Sequence, residues 1–285
     1  MAPSDIDYNS REGYRAKKVA AENVLLDSGM AVSILRYSCI QRHRRQPAAR
    51  VERSPGSSPR TWPTPGPRSW VVRIVRHHYR LDLPADSYSI SREVEDVLAL
   101  AQAIGEAMVI VGHSSGAVVA LEALAASPGT FAGAVLFEPP VATGPPDPSG
   151  SAALAMANAA VAEGKPGKAA QIFIRDIVGM PALSARMLRL LVPVLPRLRV
   201  LIPRQISDLD GVGLRLDAYA EITTPAVLLG GERSPAHLAQ SLDALATVMP
   251  HAERVTLPRR DHFANRKAPA EVARVIEALA RQVLR

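Results

Sequence analysis

The 285-residue sequence lacks several features that would assign it to a class. It has a single cysteine, Cys39, which excludes a disulfide framework and any multi-cysteine metal site. No run reaches the roughly 18 uninterrupted apolar residues of a membrane span. The opening stretch MAPSDIDYNSREGYRAKK has no apolar core of the kind a secretory signal needs. Its seven histidines do not fall at ligand spacing. The adjacent pair His77 and His78 would face opposite sides of a strand and make a poor chelate. No phosphate loop or dinucleotide-binding glycine fingerprint is present. The expectation is a cytoplasmic protein with no metal, no organic cofactor and no membrane partner. Its 47% hydrophobic and 21% charged content makes it globular rather than disordered.

Acidic residues are nearly missing from one segment. Residues 36–80 hold eleven arginines and one acid, Glu52, so this stretch carries +10 against a total of +7 and leaves the rest of the chain at −3. The basic pI is therefore the property of one patch. That patch also holds six prolines between Pro47 and Pro67 and both tryptophans, Trp62 and Trp70. Such a patch can contact phosphates, but the rest of the chain offers no matching surface, and a solvated loop is the favoured reading over a nucleic-acid partner.

Residues 1–22 read as a polar tail. Asn23–Asp27 and Met30–Ser38 read as two strands around a turn at Ser28-Gly29, because glycine supplies the positive φ that a tight turn requires. From Gln41 to Ser69 no apolar run exists, so this stretch reads as irregular. Trp70–Val75 is a possible strand. Ser91 is placed to cap a helix with Glu93 and Glu95 in its first turn and an apolar face of Val94, Val97, Leu98, Ala101 and Ile104. Short continuous apolar runs at Ala107–Val111, Ala134–Phe137 and Ala226–Leu229 read as strands buried on both faces. Helices follow at Ala117–Ala126, Pro235–Met249 and Pro269–Leu284, with a last strand at Arg254–Leu257. Strands alternating with amphipathic helices predict an α/β fold with a mostly parallel sheet and helices on both faces. Residues 139–222 interrupt the alternation. A proline-rich exit leads to helical stretches at Ala152–Glu163, Lys168–Val178 and Leu183–Ile202, read as an inserted cap.

The motif with chemical content is Gly112-His113-Ser114-Ser115-Gly116, directly after one buried strand and directly before a helix. This is G-x-S-x-G in strand–turn–helix context. The sharp turn lifts the Ser114 hydroxyl above the sheet edge, and the flanking glycines let the backbone turn without a clash. His113, inside the motif, reads as a packing and positioning residue, since it projects from the other side of the turn.

On these residues the chain resembles the alpha/beta-hydrolase superfamily, over about residues 88–285. The resemblance divides the core into an N-terminal part, 23–138, and a C-terminal part, 223–285, around the helical cap at 139–222. It implies a serine nucleophile, a later acid and a final histidine, in that order. Ser114 matches the nucleophile and His262, in Asp261-His262-Phe263, matches the histidine. The aspartate position that the family commonly uses matches Ser234, which can instead N-cap the helix that starts at Pro235. Glu232, after the strand Ala226–Leu229, is then the first choice as the acid; Glu138, at the end of Ala134–Phe137, is its rival, and the absence of any working acid is the remaining alternative. Asp261 carries little weight because side chains adjacent in sequence usually diverge. The oxyanion donors implied are the backbone N–H of Ser115 and one from a glycine loop, for which Gly56 is the remnant. Residues 42–83 look foreign to the rest, either diverged or translated from a shifted reading frame.

A serine nucleophile fits cleavage of an ester, thioester or related acyl bond, and apolar cap residues such as Met156, Phe173 and Met187 suit a small, largely apolar acyl substrate. The same apolar residues could instead form the cap's own core. The alternative function is a catalytically impaired hydrolase fold that serves as a binding scaffold. The oligomeric state is not legible.

Overall fold

The computed structural model describes residues 31–36, 70–75, 89–143, 151–195, 198–199, 202–203, 206 and 214–284. Among the described residues, six strands form one sheet: β1 (Ala31–Arg36), β2 (Trp70–Val75), β3 (Met108–His113), β4 (Gly133–Phe137), β5 (Ala226–Gly231) and β6 (Ala252–Leu257). They lie side by side in chain order, and every pair is parallel. The strand expected at Asn23–Asp27 lies outside the described residues, as do the polar tail and residues 41–69. Ala31–Arg36 takes β2 as its described neighbour.

Alternation along the strands explains why both faces of the sheet are covered. Met108 and Ile110 on β3, Ala134 and Leu136 on β4, and Ala226 and Leu228 on β5 belong to one buried cluster. That cluster also takes in α1 (Ile90–Ile104), α2 (Ser115–Ala126) and α7 (Ala236–Val248). The intervening residues, Val109, Val111, Val135, Phe137, Val227 and Leu229, form a second cluster with the last helix, α9 (Pro269–Val283). Burying a Val, Leu or Phe side chain contributes about 1.5–3 kcal/mol. The strands β3, β4 and β5 supply such residues to both faces.

The helix after Ser89 begins at Ile90, one residue before the expected cap at Ser91. Ser89 is extended (φ −155°, ψ 160°) and its hydroxyl accepts from the Arg92 N–H at 3.3 Å, while Ser91 is already helical. This corrects the sequence reading of that start. Gly105 at φ 66° closes the helix.

Between β4 and β5, where the sequence predicts a cap, lie α3 (Ser151–Ala162), α4 (Pro166–Ile172) and α5 (Ala182–Leu191). α4 runs on into a π-helical turn at Phe173–Ile177. The helical stretch expected over Leu183–Ile202 is interrupted: α5 stops at Leu191 and tightens into a 3₁₀ turn at Val192–Val194, because Pro193 lacks the N–H an α-helical interior needs, and helical residues resume at 198–199 and 202–203. A short helix α6 (Leu216–Ala220) leads back to β5. Its Tyr219 is buried and donates its hydroxyl to Glu122 at 2.6 Å; burial and that carboxylate push the phenol well above its ordinary range. Among the described residues, no helix is long and apolar enough to cross a membrane.

Candidate active site

The site is built on the C-terminal ends of β3, β4 and β5. β3 and β4 pair with His113 opposite Phe137, so the residues that follow, Ser114 and Glu138, leave adjacent strands at the same height. The Ser114 N–H donates to the Phe137 carbonyl at 2.8 Å, and the Glu138 N–H donates to the Leu229 carbonyl at 3.0 Å. Three strand ends are thus laced together by main-chain bonds exactly where the side chains of interest emerge.

Ser114 has φ 56° and ψ −127°, a backbone region that non-glycine residues rarely adopt. Holding it there costs on the order of 1–3 kcal/mol and needs a tightly determined surrounding. Gly112 supplies part of that surrounding. A Cβ at Gly112 would lie 2.5 Å from both the Gly116 carbonyl oxygen and the Ala117 Cα, so only glycine lets α2 come this close behind β3. Ser115 is buried as the first residue of α2, where the helix N-terminus concentrates partial positive charge. The Ala117 and Val118 N–H groups turn back to the Ser114 carbonyl.

Glu138 is also held at positive φ, 48°, and is 1% exposed. One carboxylate oxygen, Oε1, accepts the Gly231 N–H at 2.6 Å. The other, Oε2, accepts from His262 Nδ1 at 2.6 Å, and His262 is itself 4% exposed. This corrects the preference for Glu232: Glu138, the rival carboxylate, is the one brought to the imidazole. Glu232 is exposed, and its carboxylate accepts the Arg259 N–H across the turn that follows β6. A longer side chain two residues before Ser234 does not reach His262 because that turn diverts it to a main-chain partner on the surface.

Ser234 does not cap α7. The cap residue is Pro235, no side chain caps the helix, and the Ser234 hydroxyl is buried without a hydrogen-bond partner. Asp261, next to His262, turns away and pairs with Lys267 while accepting the Phe263 N–H at 3.0 Å. Burial works to raise its carboxyl, but those two donors outweigh it and hold the group below the ordinary carboxylate range. Gly56 lies outside the described residues.

The strand alternation places His113 on the α9 face of the sheet, the same face as Val111 and Phe137. Its ring lies 4.9 Å from the Phe137 ring and 4.6 Å from the His262 ring, centroid to centroid. Its Nε2 donates to the main-chain carbonyl of His262 at 2.8 Å. Its Nδ1 lies 3.4 Å from Nδ2 of Asn265. Asn265, in the short helix α8 (Ala264–Lys267), escaped the sequence reading. The only sequence signal for it is its position one turn beyond His262. Among the described residues no group of three or more His, Cys, Asp or Glu is arranged to hold a metal ion.

The arrangement can move a proton. With Nδ1 of His262 engaged by a buried carboxylate, Nε2 is the ring nitrogen left to accept one. A serine held on a strained turn lies one residue from the imidazole that touches His262.

A model of the alpha/beta hydrolase family matches residues 18–275. An alpha/beta hydrolase from Sphaerobacter thermophilus is 29% identical, with a TM-score of 0.52 over 67% of this chain and 74% of its own. MGS-M2, an alpha/beta hydrolase enzyme from a Medee basin deep-sea metagenome library, is 20% identical, with a TM-score of 0.53 over 68% of this chain and 72% of its own. The esterase EaEST from Exiguobacterium antarcticum is 14% identical and shares the fold, with a TM-score of 0.54 over 72% of this chain and 78% of its own. No curated protein matches the sequence.

Proposed function

The chain belongs to the alpha/beta hydrolase family, and from that premise we propose that it is a serine hydrolase that cleaves an ester, thioester or related acyl bond through an acyl-enzyme intermediate. The observation that carries this reading is the buried 2.6 Å bond between His262 Nδ1 and Glu138 Oε2, beside the strained turn that bears Ser114.

A serine hydroxyl is a weak nucleophile at neutral pH and needs a base. His262 Nε2 takes the Ser114 proton as Oγ bonds to the acyl carbon. The tetrahedral intermediate collapses when His262 returns that proton to the leaving group, whose bond to the acyl carbon breaks. Water then enters by the same two steps, and the acid and free serine are released. Glu138 fixes the tautomer of His262 and stabilises its imidazolium. The Ser115 N–H, at the start of α2, donates to the developing oxyanion. In this mechanism Glu138, not Glu232, is the acid.

The substrate is a small acyl compound with apolar character. In the cap, Ile172, Phe173 and Ile177 are buried in the core, whereas Met156, Met187 and Leu191 are 58%, 56% and 42% exposed. Those three are exposed rather than packed in that core, and on this reading they are the residues assigned to the apolar group.

A fluorophosphonate probe tests the reading and separates it from the scaffold alternative. The wild-type protein is expected to be labelled at Ser114, and labelling is expected to vanish in Ser114→Ala. Hydrolysis of p-nitrophenyl butyrate is expected to fall at least about a thousandfold in that variant. A folded wild-type protein that resists the probe is a scaffold, and the reading is then wrong.

A further inference from the structure

His113 holds both ends of a single turn, and the proton relay does not use it. One ring nitrogen meets the main-chain carbonyl of His262 at 2.8 Å; the other meets the side chain of Asn265, three residues on, at 3.4 Å. We propose that His113 and Asn265 form a positioning clamp that sets the main chain from which the His262 imidazole projects. The inference rests on the reading of His262 as the base and adds two positioning residues to it.

The proton placement follows from the partners. A carbonyl oxygen only accepts, so Nε2 of His113 carries a hydrogen. In a neutral ring Nδ1 is then an acceptor, and the amide NH₂ of Asn265 is the donor facing it. These polar links lie in apolar surroundings. A cavity of about 40 Å³ beside them is bordered by Val111, Val135, Phe137 and Val272, and low local polarity strengthens hydrogen bonds made within it.

The clamp connects the two parts of the site that the sequence keeps 148 positions apart. His113 is covalently next to Ser114 and is packed on its cross-strand partner Phe137, which is next to Glu138. The ring of His262 is oriented by Glu138, and its main chain is tied to His113. Two anchors thus hold His262, one on its ring and one on its main chain. A displacement of about 1 Å at a reacting centre costs on the order of a hundredfold in rate.

The experiment combines variants with a measurement on the wild-type protein. His113→Phe is expected to slow fluorophosphonate labelling of Ser114, and kcat for p-nitrophenyl butyrate, by about a hundredfold. KM stays within about twofold, because only the approach to the transition state is disturbed. Asn265→Ala is expected to cost about tenfold in the same sense, and His113→Gln, which keeps a donor for the carbonyl, recovers part of the loss. In long-range ¹H–¹⁵N spectra of the wild-type protein near neutral pH, His113 is expected as the neutral Nε2–H tautomer. The clamp is overturned if His113→Phe and Asn265→Ala are labelled at the wild-type rate, if His113→Phe matches or exceeds His113→Gln, or if His113 is found as the Nδ1–H tautomer or the imidazolium. Wild-type protein that is not labelled at all counts against the role of Ser114, and the tautomer then decides the clamp separately. The same spectrum decides it if a variant fails to fold.

Discussion

The ends of β4 and β5 make an instructive pair. Each strand is followed directly by one glutamate, and the two strand ends are neighbours, joined by the Glu138 N–H to the Leu229 carbonyl and by the Gly231 N–H to the Glu138 carboxylate. Glu138 is buried and faces His262. Glu232 is exposed and satisfies the Arg259 N–H on the surface. Side-chain type is the same at both sites, so what separates their roles is depth and the direction in which each turn releases its residue. Glu138 is bent into the site by a positive φ, and β5 assists it by giving up a main-chain donor.

The strongest way to break this contrast is Glu138→Gln. It keeps shape and burial but removes the charge that stabilises the His262 imidazolium, and turnover is expected to fall by about a thousandfold or more, read as kcat for p-nitrophenyl butyrate. Glu232→Gln, the matched change at the other strand end, is expected to alter kcat less than about threefold; a thousandfold loss there would reverse the assignment. Gly231→Ala probes the link between the two turns. A Cβ at that position would lie 2.6 Å from the Arg260 carbonyl oxygen and 2.9 Å from the Ser234 hydroxyl. The crowding is expected to cost about 1–3 kcal/mol, visible as a lower Tm, and to slow turnover by displacing the N–H that supports Glu138. Ser234→Ala removes a buried hydroxyl with no partner, and is expected to leave Tm unchanged or raise it slightly, by up to about 1 kcal/mol in stability.

The smallest effect concerns Asp261. Its carboxyl is held below the ordinary range in the folded protein. Its contribution to stability is therefore complete above the unfolded carboxylate pKa of about 4 and is lost as pH falls through the lower folded value. The Tm difference between wild type and Asp261→Asn is expected to be present at neutral pH and to shrink below about pH 4.

The elbow could be read from the sequence because its requirements are local. A continuous apolar run, glycines around a serine and an immediate helix leave few other conformations. The same holds for β4, β5 and α9, whose patterns match their burial. The helix start at Ser89 was less legible, since Ser89 and Ser91 are both capping residues and only backbone geometry separates them. Pro193 was visible, but where the helix ahead of it stops depends on packing. The choice between Glu138 and Glu232 was beyond reach of spacing, because it depends on where two neighbouring turns aim their side chains. Asn265 was invisible for the same reason: its significance comes from His113, far away in sequence.

The position of the cap has a practical corollary. It departs within a few residues of Glu138, after Pro139-Pro140, and rejoins just ahead of β5, the strand hydrogen-bonded to β4. The excursion therefore begins and ends on adjacent staves of the same scaffold, and its length is decoupled from the spacing between Ser114, Glu138 and His262.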